Sequence, residues 1–129
     1  IWGLIVMEGN TLSRKEGGAC HMAQRGFTEH DWKLFRSKIV GWQEDCMGRL
    51  IREYIELLNR ETDPSDRFWE LDKRMRADKK KAGVRLQMSR SEMIYHIVTL
   101  IEEGTITMNE LEDFSEQLRE TVQFIVESH

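Results

Sequence analysis

The residue types best placed to do chemistry form a basic run. Between Lys73 and Arg90 stand eight cations, Lys73, Arg74, Arg76, Lys79, Lys80, Lys81, Arg85 and Arg90, against the single acid Asp78. From Glu92 to the end, nine acids face Arg119 alone. This segregation has two readings. Cations on a helix end and the loop after it can bind phosphate, releasing counterions as basic proteins do on nucleic acid. The same cations can instead complement the acidic final helix and present a solvated face. No recognition-helix motif accompanies the run, and an acidic neighbour repels a polyanion.

The other reactive types are scattered. Glu92 precedes His96 by one helical turn, a spacing that suits an ion pair or two metal ligands. The doubled Glu-x-x-His of di-iron bundles is missing, so His96 reads as structural. Cys46 falls on an apolar stripe, where a free cysteine packs as a small hydrophobe. Cys20-His21 has no further ligands, and His30 and His129 stand apart. There is no Gly-rich phosphate loop, no Gly-x-Ser-x-Gly and no Cys-x-x-Cys. The expectation is a protein that is not an enzyme, with no catalytic residue, no cofactor and no metal site.

Four helices must position these residues. Thr28 is the expected N-cap of the first, running to about Arg60. Its hydroxyl is placed to accept from the Asp31 N–H, with Asp31 where a capping box prefers Glu or Gln. Phe27 and Trp32 bracket that cap as a hydrophobic staple. Apolar residues then recur at Trp32, Phe35, Ile39, Trp42, Cys46, Leu50, Tyr54 and Leu57. A stripe this one-sided must be buried against other helices. Gly41, Gly48 and Leu34 fall on the opposite face, which admits either a closely packed second helix or water, and either glycine is a place for a bend.

Asp63-Pro64-Ser65-Asp66 predicts a second helix from Pro64 to about Lys81, with Phe68, Leu71 and Met75 as its stripe and Trp69 on the flank. Gly83 suits a left-handed cap behind the lysines. The third helix is expected from Arg85 to Glu103, ended by Gly104, with Leu86, Met93, Ile94, Ile97, Leu100 and Ile101 as a wide buried face. Val84 to Met88 alternates in polarity, too briefly for a strand. Thr107 and Glu110 form a second capping box, with Ile106 and Leu111 as its staple. The fourth helix carries Leu111, Phe114, Leu118, Val122 and Ile125.

The chain has 129 residues, 40% hydrophobic and 33% charged, with net charge -4. That suits one helical domain and gives no overall basic field. Two cysteines make no disulfide framework, which points to a reducing, cytoplasmic location. No stretch reaches the roughly 20 apolar residues needed to span a bilayer.

Residues 1–26 show neither helical nor strand period and are expected to be a disordered leader, with the helical domain over 27–129. Glu16-Gly17-Gly18 can be encoded GAA-GGA-GGN, which contains the ribosome-binding sequence AAGGAGG. Three codons separate it from Met22. Met22 is therefore the expected natural start, and residues 1–21 a translated leader.

From Thr28 onward the chain resembles a group of small, uncharacterised proteins of anaerobic Firmicutes. The carrying segments are Trp32-Lys33-Leu34-Phe35, Gly41-Trp42-Gln43-Glu44, Glu53-Tyr54-Ile55-Glu56-Leu57-Leu58 and Pro64-Ser65-Asp66-Arg67-Phe68-Trp69-Glu70-Leu71. Met93-Ile94 and Glu110-Leu111-Glu112-Asp113-Phe114-Ser115 continue the likeness. Such proteins often carry the automatic name "multidrug transporter", which conflicts with the polar face on every helix of this chain. The resemblance implies a bacterial cytosolic protein and carries over no catalytic residues.

The expected fold is an all-α, single-domain bundle of four helices with a long first helix. The expected function is recognition of a protein partner or self-association, through Trp69 and the small-residue back face of helix one. Nucleic-acid binding by the run Lys73 to Arg90 is the alternative. The candidate contacts are Trp69, Lys73, Arg74, Arg76, Lys79, Lys80, Lys81 and Arg85.

Overall fold

The computed structural model describes residues 26–128; residues 1–25 of the expected leader, with Cys20 and His21, and His129 lie outside the described residues. The chain forms four α-helices: α1 over Glu29–Leu58, α2 over Pro64–Asp78, α3 over Met93–Glu102 and α4 over Glu116–Ser128. Single 3₁₀ turns cover Arg90–Glu92 and Met108–Leu111. No β-strand occurs among the described residues.

Helix α1 starts as its sequence requires. The Asp31 N–H donates to the Thr28 hydroxyl (3.1 Å), and the Thr28 N–H donates to the Asp31 carboxylate (2.9 Å). A shorter acid thus closes the capping box. The stripe from Trp32 to Leu57 is buried, with Tyr54 half-buried. Trp32, Phe35, Trp42 and, from beyond α3, Phe114 form a chain of rings with centroids 6.1–6.3 Å apart. The helix runs unbroken through Gly41 and Gly48. The back face is open at Gly41, where a Cβ would have no neighbour within 4 Å, whereas Leu34 packs against the core.

Helix α3 is the most apolar element and inserts Met93, Ile97, Val98 and Leu100 into the core. It is shorter than its sequence predicts, because 85–88 is not helical. The alternation there is that of extended chain: Met88 is buried, Leu86 half-buried, and Arg85 and Gln87 exposed. Gly104 ends α3 at φ +85°. The Gly104 N–H reaches the Ile101 carbonyl (3.0 Å) and the Thr105 N–H the Leu100 carbonyl (2.9 Å), the Schellman pattern that needs a left-handed residue.

Three further expectations are corrected. Gly83 is not a left-handed cap. It is small because a Cβ there would sit 2.5 Å from the Thr105 Oγ1 and 2.6 Å from the Cys46 Sγ. The Thr107 side chain makes no cap bond, so Met108–Leu111 closes only one 3₁₀ turn. The last helix starts instead after Ser115, whose hydroxyl accepts from the Leu118 N–H (3.2 Å). Ile106, Leu111 and Phe114 are nevertheless buried.

The third correction concerns α2. Leu71 is half-buried, whereas Phe68 and Met75 are exposed, and the one fully buried residue of the helix is Asp78. Polar groups carry much of its attachment to α1. Arg74 bonds Glu53 (2.6 Å), and Arg67 donates to the Leu58 carbonyl (2.8 Å). The loop after α2 is pinned from both sides. The Gln43 amide donates to the Ala82 carbonyl (2.8 Å), and the Glu103 carboxylate accepts from the Ala82 and Gly83 N–H groups (2.7 and 3.2 Å).

Candidate partner surface

The hairpin of α1 and α2 closes around Asp78. The Tyr54 hydroxyl donates to its carboxylate at 2.6 Å, with Lys81 at 3.4 Å and Arg74 at 3.7 Å. The Arg74 guanidinium also lies 5.6 Å from the Tyr54 ring centroid. Burial, then the hydrogen bond to Asp78 and its negative charge, push the Tyr54 hydroxyl up to about 12. The phenol is therefore a locked donor at neutral pH.

Beside this cluster lies a half-open groove of about 190 Å³. Its α1 wall is Met47, Leu50, Ile51 and Tyr54; Met75, Asp78, Lys79 and Val84 form the other wall. The lining is almost wholly apolar, with Lys79 the cation at its edge.

The groove opens onto an apolar surface that no other described residue covers. Ile51, Ile55 and Leu58 share one face of α1 by their spacing and are 53%, 53% and 41% exposed. On α2, Phe68, Trp69 and Met75 are 63%, 62% and 41% exposed. The Phe68 and Trp69 rings meet edge to face at 4.9 Å. Singly exposed apolar residues are ordinary; six on one hairpin make it the candidate partner surface.

The residues singled out by sequence divide into three groups here. Trp69 is exposed on the hairpin. Arg74, Arg76, Lys81 and Arg90 are engaged with Glu53 and Asp78, Asp72, Asp78 and Glu29 respectively. Lys73, Lys79, Lys80 and Arg85 are exposed and make no ion pair among the described residues. None of the run's ion pairs reaches α4, so its acidic complement lies on α1 and within α2 instead.

Tyr54, Asp78, Met47 and Ile51 belong to the surface and were not singled out for it. Two signals pointed to them. Ile51, Ile55 and Leu58 form a second apolar stripe beside the main one, and Asp78 is the lone acid in a basic run.

Elsewhere the chemistry is sparse. No group of three or more His, Cys, Asp or Glu side chains is placed to hold a metal among the described residues. His96 is half-buried with its Nδ1 lacking a hydrogen-bond partner. Burial lowers its pKa, and Glu92 only partly opposes this. Cys46 is buried and accepts a weak hydrogen bond from Thr105 (3.8 Å). No described helix is long and apolar enough to cross a membrane. Comparisons with family models, curated proteins and solved structures found no match to the chain.

Proposed function

We propose that the protein is a non-catalytic interaction module that binds a protein partner or a second copy of itself through the α1–α2 hairpin. One observation carries this reading. The core closes fully around α1, α3 and α4, yet Ile51, Ile55, Leu58, Phe68, Trp69 and Met75 stay exposed on the hairpin. A groove between two helices, flanked by aromatic anchors, suits an amphipathic helix or a loop carrying a large apolar side chain. The bacterial, cytoplasmic setting implied by the Firmicutes resemblance belongs to the same proposal. It is tested by placing a photo-crosslinking residue at position 69, and as a control at Glu112, in living cells. Adducts at position 69 alone support the hairpin; equal labelling at both positions, or none at 69, would overturn it.

A second reading is nucleic-acid binding by the basic segment, favoured by the exposed and unpaired Lys73, Lys79, Lys80 and Arg85. Half of the run's cations are already paired, and net charge is -4. This reading predicts an affinity for duplex DNA or RNA that falls steeply with salt. An electrophoretic shift unchanged by Lys79→Ala, Lys80→Ala and Lys81→Ala would rule out this patch.

A further inference from the structure

Methionines line both walls of the groove, Met47 from α1 and Met75 from α2, with Leu50, Ile51 and Val84 as apolar neighbours. Methionine suits a binding surface because its thioether chain is flexible and polarizable. The methionines among the described residues differ sharply in access. Met75 alone is exposed, at 41%; Met47 and Met108 are half-buried, and Met88 and Met93 are buried. The polar groups of the groove are mostly committed. The Tyr54 hydroxyl is held by Asp78 at 2.6 Å, and Asp78 also faces Arg74 and Lys81. Lys79 is the exception, exposed and without an ion pair among the described residues. It caps α2 with helical backbone angles (φ -64°, ψ -16°), one turn beyond Met75 on the same row of the helix.

We propose that Met75 is a reversible oxidation site that closes the hairpin to its partner. The proposal rests on the hairpin being the partner surface and names how that surface is regulated. The oxidant is hydrogen peroxide. The Met75 sulfur gives a lone pair to one peroxide oxygen, so that an S–O bond forms as the O–O bond breaks. The other oxygen leaves as hydroxide, which takes the remaining proton to give water. Sulfur is oxidised and peroxide reduced, and an apolar thioether becomes a polar sulfoxide. Lys79, one turn along, is placed by helical spacing to donate to the new oxygen, so the free protein keeps its fold. An apolar side chain entering the groove then has to strip water from a sulfoxide and an ammonium, which opposes binding. Met88 and Met93 are sealed in the core, which confines the change to the surface. A sulfoxide reductase with a dithiol reverses the step: the thioether returns, the dithiol becomes a disulfide and the oxygen leaves as water.

The test treats the full chain with hydrogen peroxide and maps the product by peptide mass spectrometry. Met75 is converted first, while Met88 and Met93 stay unoxidised and the circular dichroism melt is unchanged. Nile red, an uncharged apolar dye, reads the groove separately. Its fluorescence on the untreated chain falls after oxidation and returns with a methionine sulfoxide reductase and dithiothreitol. In cells carrying the photo-crosslinking residue at position 69, a peroxide pulse lowers adduct yield about tenfold or more. Met75→Leu, an apolar residue of similar volume that peroxide leaves untouched, keeps both the dye signal and the adducts through the same pulse. Oxidation of Met75 no faster than that of Met88 and Met93 would overturn the proposal. So would a dye signal indifferent to oxidation, or adducts lost equally from wild type and Met75→Leu. Each of these results leaves the hairpin as the partner surface, whereas a lack of position-69 adducts before any peroxide removes that reading and the switch with it.

Discussion

The Asp31 carboxylate ties the start of α1 to the start of α4 through Ser115. Its Oδ1 accepts the Ser115 N–H (2.8 Å) and its Oδ2 the Ser115 hydroxyl (2.6 Å), while Oδ2 also closes the capping box on Thr28. Two helix N-termini, each with a positive dipole end, converge on one buried carboxylate that has no cationic side chain as partner among the described residues. The same serine hydroxyl caps α4 through Leu118. Residues 84 apart in sequence are thereby fixed in one network.

Asp31→Asn is expected to destabilise the fold by about 3 kcal/mol, since it breaks a charge-assisted network and leaves buried donors poorly matched. Urea unfolding at pH 7 should show a lower midpoint at unchanged slope. Acid dependence provides the second check. Burial pushes the Asp31 carboxyl up, but hydrogen bonds from Ser115 and Thr28 outweigh it and hold the pKa below its ordinary 3.8. A depressed native pKa contributes stability that is full above the unfolded value and is lost as pH falls through the native one. The wild type should therefore lose more stability than Asp31→Asn as pH drops below 3.8. Equal acid sensitivity would contradict this network.

Two glycines should respond in opposite directions. Gly83→Ala drives a methyl into Cys46 and Thr105, with the Cys46 Cβ only 3.1 Å away. Overpacking of this kind costs about 1–3 kcal/mol, and Cys46→Ala should recover part of it in a double-mutant cycle. Gly41→Ala meets open space in the middle of α1 and should stabilise by up to about 1 kcal/mol. Thermal melts of the four variants decide the matter.

Tyr54 and Asp78 give a titration signature. The absorbance of tyrosinate in wild type, minus that of Tyr54→Phe, should rise near pH 12, well above the ordinary value of 10. A native pKa raised in this way contributes stability that is full below pH 10 and is lost as pH climbs through about 12. Tyr54→Phe should cost about 1 kcal/mol at neutral pH, the worth of one hydrogen bond, because Arg74 and Lys81 still face Asp78.

What the sequence disclosed follows the range of each interaction. The α1 cap at Thr28, the stripe from Trp32 to Leu57, the Pro64 start and the Gly104 stop are all local, and each lies where its spacing places it. Gly83 is small because of a contact with Cys46 and Thr105 on other elements, which its local pattern of lysines before a glycine does not carry. Thr107 and Glu110 have capping-box spacing, yet helix α4 waits for Ser115, where Asp31 supplies a long-range partner. The stripe of α2 misled for a different reason. Phe68, Leu71 and Met75 have helical periodicity, but periodicity reports a face and not what covers it. The main stripe of α1 is occupied by the core, leaving α2 mainly polar anchors on the same helix.

That distinction gives the last prediction. Phe35 and Phe68 are the same residue type on adjacent helical stripes, one fully buried and the other 63% exposed. Phe35→Ala opens the ring chain between Trp32 and Trp42 and should cost about 3–5 kcal/mol. Phe68→Ser and Trp69→Ser, measured at concentrations too low for association, should each change stability by no more than about 0.5 kcal/mol. Raising protein concentration should then stabilise the wild type and not the Phe68→Ser, Trp69→Ser double variant, because a partner that binds only the folded state adds its binding energy to the melt. A hairpin variant that unfolds in dilute solution would place these rings in the core and remove the reason for regarding them as a binding surface.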